Sequence, residues 1–178
     1  MTNTLVSEIE RLADAIGEND ADAAETSLQH VAERIAEVLR VTKDEVAILV
    51  ISDSMRVLRF LIPERLRHAG VIPLSSIHAL AARTARHGKP EIINHFADAL
   101  HLSVFEALFF ASGGKNEIIQ KIMCAPIKAG DRVVGIIQIS RKGKNLAAAG
   151  PDFTERDLAQ LLTLTQALGK LMKIFLGG

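Results

Sequence analysis

The sequence has one cysteine, Cys124, no excess of charge of either sign, and no long uninterrupted apolar run, and each shortage removes a class of function. A lone thiol cannot close an internal disulfide or build a cysteine zinc site, which fits a reducing compartment and leads to the expectation of a cytoplasmic protein. Because 21 basic residues balance 21 acidic ones, no long-range field draws the molecule toward polyanions, and no nucleic acid is expected as a partner. No segment approaches the roughly 18 consecutive apolar residues that a membrane span needs. The opening MTNTLVSEIERLADAIGEND mixes acidic side chains into the apolar ones from Glu8 onward, unlike the basic start and apolar run of a signal peptide. A soluble protein without a membrane partner is expected. What is present is 178 residues that are 48% hydrophobic, enough for one domain with a sizeable core.

Helical patterns stand at both ends, with strand patterns between them. Leu5, Ile9, Leu12 and Ile16 recur at spacings of three and four, one stripe of an amphipathic helix that Gly17 and Asn19 stop. Asp20 or Asp22 caps a second helix, whose Leu28, Val31, Ile35, Val38 and Leu39 hold one stripe up to about Val41. The run VAILVIS from Val46 is β-branched, compact and wholly apolar until its serine, which predicts a buried central strand. Asp53 and Ser54 supply a turn, and Arg56 to Ile62 forms a second strand in hairpin, ended by Pro63. Ser75 or Ser76 caps a helix with Ile77, Leu80, Ala81 and Thr84 on one face, and Gly88 and Pro90 end it. Glu91 to Phe96 reads as a third short strand. The segment from Ala97 to Gln120 is irregular and is expected to hold one short helix. KIMCAPIK and RVVGIIQIS flank Ala129, Gly130 and Asp131 as the plainest hairpin of the chain. Thr154 with Asp157 then opens a helix running to about Phe175, striped by Leu158, Leu161, Leu162, Thr165, Leu168, Leu171 and Met172.

No catalytic constellation emerges, and no enzyme is expected. The Lys-Asn after Gly113 and Gly114 lacks the upstream glycine and the Ser/Thr of a phosphate-binding loop and reads as a turn. None of the six histidines forms the pair one helical turn apart, with glutamate, that metalloproteases use, so no metal is expected. His30, His68 and His87 fall on polar surroundings, while His78, His95 and His101 are the ones able to converge on a pocket as ligand or haem contacts. Basic clusters at Arg83, Arg86, His87 and Lys89, and at Arg141, Lys142 and Lys144, read as solvated faces.

The order of four stretches resembles the GAF family over roughly residues 25 to 174. They are LQHVAERIAEVLRV leading into VAILVIS, the middle stretch IPLSSIHALAARTARHGKPEIINHF, the hairpin IMCAPIKAGDRVVGIIQIS, and FTERDLAQLLTLTQALGKLM at the end. The resemblance implies an α/β (α+β) domain, GAF/PAS-like, with an antiparallel sheet of about six strands and helices on both faces. It implies a pocket on one face, roofed by the middle helix and the irregular segment. Residues 1–20 form an N-terminal helix and possible dimerisation element, and 21–178 the GAF-like domain with its long C-terminal helix. The family's pocket regions, carried onto this chain, name Phe60, Ile77, His78, Asn94, Phe96, Phe105, Phe109 and Cys124 as ligand-binding residues.

Departures from the family narrow the ligand. Cyclic-nucleotide-binding members carry an Asn-Lys pair, then Phe, three residues, and Asp-Glu; here Phe153 and Asp157 match, Leu158 replaces the glutamate, and Lys144 and Asn145 are reversed. Cys124 lies in a strand, away from the irregular segment where tetrapyrrole-binding members attach their chromophore, and has no partner cysteine for a sulfoxide reductase cycle. The cofactor is left unknown. The expectation is a regulatory, small-molecule-sensing domain with output through a separate effector protein. The alternative is an interaction or dimerisation module whose pocket is vestigial. A homodimer is expected because the stripes on Leu5, Ile9, Leu12, Leu164, Leu168, Leu171 and Phe175 look wider than one sheet face needs.

Overall fold

The computed structural model describes residues 1–16, 20–99 and 118–176. Helices α1 (Thr2–Ala15) and α2 (Ala21–Leu39) open the chain. Of the two candidate caps, Asp20 is the one used, its carboxylate accepting from the Ala23 amide at 3.0 Å. Arg40, in the left-handed region at φ 55°, ends α2. Strands β1 (Val46–Ser52), β2 (Val57–Ile62) and β3 (Val71–Pro73) follow, then α3 (Leu80–His87) and β4 (Glu91–Ile93). The long strands β5 (Ile118–Ala129) and β6 (Arg132–Gly143) and helix α4 (Glu155–Met172) complete the described elements. The Thr154 hydroxyl accepts from the Asp157 amide while Asp157 accepts from the Thr154 amide at 2.7 Å, the reciprocal cap expected at this start.

The strands form one six-stranded sheet in the order β3-β2-β1-β6-β5-β4, with every neighbouring pair antiparallel. All seven residues of β1 are buried, and they alternate between two cores. Val46, Ile48 and Val50 join the core that holds α1, α2 and α4, whereas Ala47, Leu49 and Ile51 join the core beneath α3. The α+β class, the sheet and the helices on both faces are thus as the resemblance implied.

Several local expectations are corrected. The serines precede α3 by a loop, and the helix starts at Leu80 with Ala79 as its cap residue, so Ile77 is not on its apolar face and stands 71% exposed. The Ser76 hydroxyl accepts from the Ala79 amide at 3.1 Å and organises that loop instead. The third strand stops at Ile93, leaving Phe96 in a 3₁₀ turn, Phe96–Ala99. Between Pro63 and the serines lies a strand the sequence hid, β3, too short to show alternation and ended by Pro73. The turn at Gly17 and Asn19, and nearly all of the irregular segment with its glycines, lie outside the described residues.

The stripes read as a dimer surface are occupied within one chain. Leu5, Ile9, Leu164, Leu168 and Leu171 are fully buried in the first core, and Leu12 and Phe175 pack against it. The stripes are used up within the chain because α1 packs on α4 and α2, so apolar flanks are buried between helices while α2 and α4 face the strands. Close approach depends on Gly169, where an added methyl would fall on the Lys128 carbonyl oxygen of β5.

The opposite end of α4 is tied to the sheet by cations. The buried Lys121 ammonium donates to the Gly150 carbonyl and to Asp152 Oδ1, each at 2.7 Å, which fixes the loop before the helix. Arg141 Nη1 donates to the Arg40 carbonyl at 3.1 Å, one of the carbonyls that the end of α2 leaves open, and its guanidinium lies 4.7 Å from the centre of the Phe153 ring.

Two outcomes follow from these contacts. Alanine has the higher helix propensity by up to about 1 kcal/mol, yet Gly169→Ala is expected to destabilise the protein by about 2 kcal/mol, because α4 must move off β5. Urea unfolding reads the sign, and a stabilised variant would contradict the close packing. Asp152 is held below its ordinary carboxylate value, first by the hydrogen bond from Lys121 and further by the charges of Lys121 and His95, against a smaller opposing effect of burial. A lowered carboxyl contributes stability above its unfolded-state value, near pH 4, and loses it as the pH falls through the folded-state value. Unfolding of Asp152→Asn, compared at pH 7 and pH 3, should therefore show a shallower acid loss than the unsubstituted protein.

Candidate functional site

The sheet face beneath α3 gathers the sequence-derived pocket residues unevenly. β2 contributes Leu58 and Phe60, β5 contributes Ile122 and Cys124, and α3 lays Leu80 and Ala81 over them. Phe60 is 2% and Phe96 1% exposed, Cys124 is fully buried, and all three belong to one apolar cluster. Short-range alternation explains the strand members, since Leu58 and Phe60, like Ile122 and Cys124, are two apart and share a face. Ile77 and His78 stand exposed in the loop before α3, away from that cluster. Phe105, Phe109 and His101 lie outside the described residues. His95 is exposed, 3.8 Å from the Asp98 carboxylate, and among the described residues no group of three or more His, Cys, Asp or Glu side chains is placed to hold a metal.

Asn94 is placed by a partner 59 residues away. Its amide donates to the Phe153 carbonyl at 3.0 Å and its oxygen accepts from the Phe153 amide at 2.9 Å, so both ends of the side chain serve the backbone ahead of α4. No local pattern in the sequence signals that pairing.

Two buried polar groups on this side escaped the sequence reading as site residues. Gln138 of β6 is almost wholly buried opposite Cys124, and its Nε2 donates to the Cys124 sulfur at 3.7 Å. Thr84 of α3 is buried, and its hydroxyl has no hydrogen-bond partner among the described residues. An amide, a thiol and a hydroxyl set in aliphatic and aromatic surroundings can orient a ligand by a few hydrogen bonds. The only signal for Gln138 in the sequence is a polar residue inside an otherwise apolar strand.

The basic clusters read as solvated faces are partly engaged. Arg83 pairs with Glu91 at 2.6 Å, Arg86 donates to the carbonyls of Leu74 and Ser76, and the Lys142 ammonium donates to the Asp44 carbonyl at 3.0 Å. No helix among the described residues is long and apolar enough to cross a membrane.

Solved structures with this fold are similar over nearly the whole chain. A GAF domain from an Acinetobacter phosphoenolpyruvate-protein phosphotransferase superposes with a TM-score of 0.66 at 17% identity, covering 95% of this chain and 90% of its own. The nlh2 GAF domain of A. Aeolicus, in an inactive state, gives a TM-score of 0.66 at 17% identity over 98% of this chain and 96% of its own. The free methionine-R-sulfoxide reductase of Neisseria meningitidis, in complex with its substrate, gives 0.62 at 14% identity over 97% of this chain and 89% of its own. At such identities the likeness establishes the fold alone, and the structures sharing it include GAF domains and a reductase. No curated protein matches the sequence. The model of the GAF domain family matches residues 25–173, most of the chain, and with the sheet order and two-sided helical cover just described this places the protein in the GAF domain family.

Proposed function

We propose that this GAF domain is a regulatory module that senses a small molecule on the sheet face beneath α3 and passes the signal to a separate effector protein. The observation that carries the reading is the placement of Gln138 and Thr84, two buried polar side chains, in the apolar core that also holds Phe60, Phe96 and Cys124. Burying a hydroxyl without a partner costs about 1–3 kcal/mol, a cost that a ligand accepting or donating there would remove. The family supports it, since the A. Aeolicus relative has a state described as inactive, which is how a regulated domain behaves. A catalytic role like that of the reductase neighbour is not part of the proposal, because this chain has a single cysteine and hence no second thiol within itself.

A second reading rests on a different observation. Phe60 and Phe96 are among the largest fully buried side chains, so they occupy space that a ligand would otherwise take. On that reading the chain is an interaction or dimerisation module whose pocket is filled by its own residues. The homodimer belongs to either version in a general form: two copies meeting on surfaces other than the Leu5, Ile9 and Leu168 stripe, which the core already holds.

Native mass spectrometry of the purified protein reads both points together. The sensing proposal expects a discrete mass beyond the polypeptide that leaves on denaturation, and it expects Thr84→Val to weaken its retention. Bare protein in every preparation, with no small molecule raising the melting temperature, would transfer the case to the interaction module. A single copy at micromolar concentration would remove the homodimer.

A further inference from the structure

At one end of the sheet, where the β1–β2 and β5–β6 turns approach the last turn of α3, lies a cleft of about 380 Å³. Its apolar lining is Ile51, Leu74, Ala85 and Val133, each within or packed against the core beneath α3. Its charged lining is Arg56, Arg86 and Arg132 against the single carboxylate of Asp53. The chain as a whole balances 21 basic residues with 21 acidic, so this local excess of guanidinium groups is a departure from the average surface.

The three arginines differ in what they already hold. Arg86 is fixed by donation to the carbonyls of Leu74 and Ser76, the latter at 2.7 Å, which places its cation beside the cleft without neutralising it. Arg132 is paired with Asp53. Arg56 sits at φ 54°, an unusual conformation for a residue with a side chain, and its backbone is held on both sides: its amide donates to the Asp53 carbonyl at 3.3 Å and its carbonyl accepts from Leu74 at 3.0 Å. Among the described residues its guanidinium has neither a hydrogen-bond nor an ion-pair partner. Guanidinium forks match carboxylate, sulfonate and phosphate groups, and concave walls of low dielectric strengthen their field. The volume lies within the range of small-molecule sites.

We propose that this cleft binds a small organic anion with an apolar body, the acid group meeting Arg56 and Arg132 and the body covering Val133 and Leu74. The site is separate from the one above, since Phe60, Phe96 and Cys124 do not line it, and either proposal can fail without the other. A comparable cleft of about 370 Å³ holds Arg40, Arg141 and Arg156, but there Arg141 is committed to carbonyls of α2, and Asp152 and Asp157 offset the charge.

The test is a fluorescence titration of the full chain with anilinonaphthalene sulfonate, an apolar ring system carrying one sulfonate, beside the neutral N-phenylnaphthylamine. The sulfonate should bind saturably, one per chain, and more tightly than the neutral dye. Arg56→Asn, which keeps a residue tolerant of the left-handed region, should weaken it about fivefold at low salt, the scale of one exposed charge pair. Asp53→Asn removes the competing carboxylate from Arg132 and should strengthen it by a similar factor. A gain confined to the sulfonate does not arise from a loosened fold, which would take up both dyes. Equal affinity in Arg56→Asn and the unsubstituted chain, a neutral dye bound as tightly as the sulfonate, or no binding of the sulfonate would each overturn the proposal.

Discussion

β1 has no solvated face, and most of the architecture follows from that. Its seven buried residues send side chains alternately to the two sides of the sheet, so both sides must be covered for the strand to exist in water. Each fully buried aliphatic side chain contributes on the order of 1.5–3 kcal/mol relative to exposure, and that gain is realised only if helices lie on both faces. On one side α2 and α4 lie against the strands, and α1 packs on those two helices. On the other, α3 is the helix packed against the strands among the described residues. The order β2-β1-β6 places β1 centrally, between the partner of its hairpin and the second strand of the late hairpin, where it can be covered twice.

Cover of this kind requires α4 to lie close to the strands, and small residues at the contact make this possible. Gly169 lets the backbone of α4 meet the carbonyl of Lys128, and Gly135 of β6 leaves room for Met172. The helix is then held at its other end by groups that are not apolar at all. Lys121 fixes Gly150 and Asp152, Arg141 joins the end of α2 to Phe153, and Asn94 joins the end of β4 to the same Phe153 backbone. Apolar packing sets how near α4 lies to the sheet, and directional hydrogen bonds set its position along it. A change on the sheet that moved β4 or β5 would thus reach the start of α4 through Asn94 and Lys121, which gives the sensing proposal a physical route to the helices.

Periodicity made the large elements legible. Stripes and caps located α1, α2 and α4, and the strands with four or more apolar residues located β1, β2 and the β5–β6 hairpin. β3, three residues long, is too short for an alternation to be seen, and β4, read as a strand from Glu91, was carried past Ile93 to Phe96 because so short a run does not mark its own end. The start of α3 was misplaced because Ser76 caps a loop rather than a helix, a distinction made by backbone geometry and not by residue type. Phe60 and Cys124, named from the family resemblance, lie in one buried cluster on the sheet face beneath α3, whereas the role of Asn94 depends on a residue 59 positions away that no local pattern shows. The width of the terminal-helix stripes was illegible for the same reason, since how much apolar surface a helix needs depends on which other helices pack on it.

A neutral chain can still present charged sites, because net charge is a sum and recognition is local. The buried Lys121 needs the Asp152 carboxylate and a carbonyl beside it, for an ammonium cannot leave water uncompensated. An exposed arginine has no such requirement, since water solvates it until a better anion arrives. Hence Lys121 and Arg141, with partners inside the chain, position α4, whereas Arg56 is held by its backbone and its guanidinium has no hydrogen-bond or ion-pair partner among the described residues. The left-handed angle alone marks no site, since Arg40 adopts it at 55° to end α2; at Arg56 it is the nearness of Arg86 and Arg132 that makes the cleft basic.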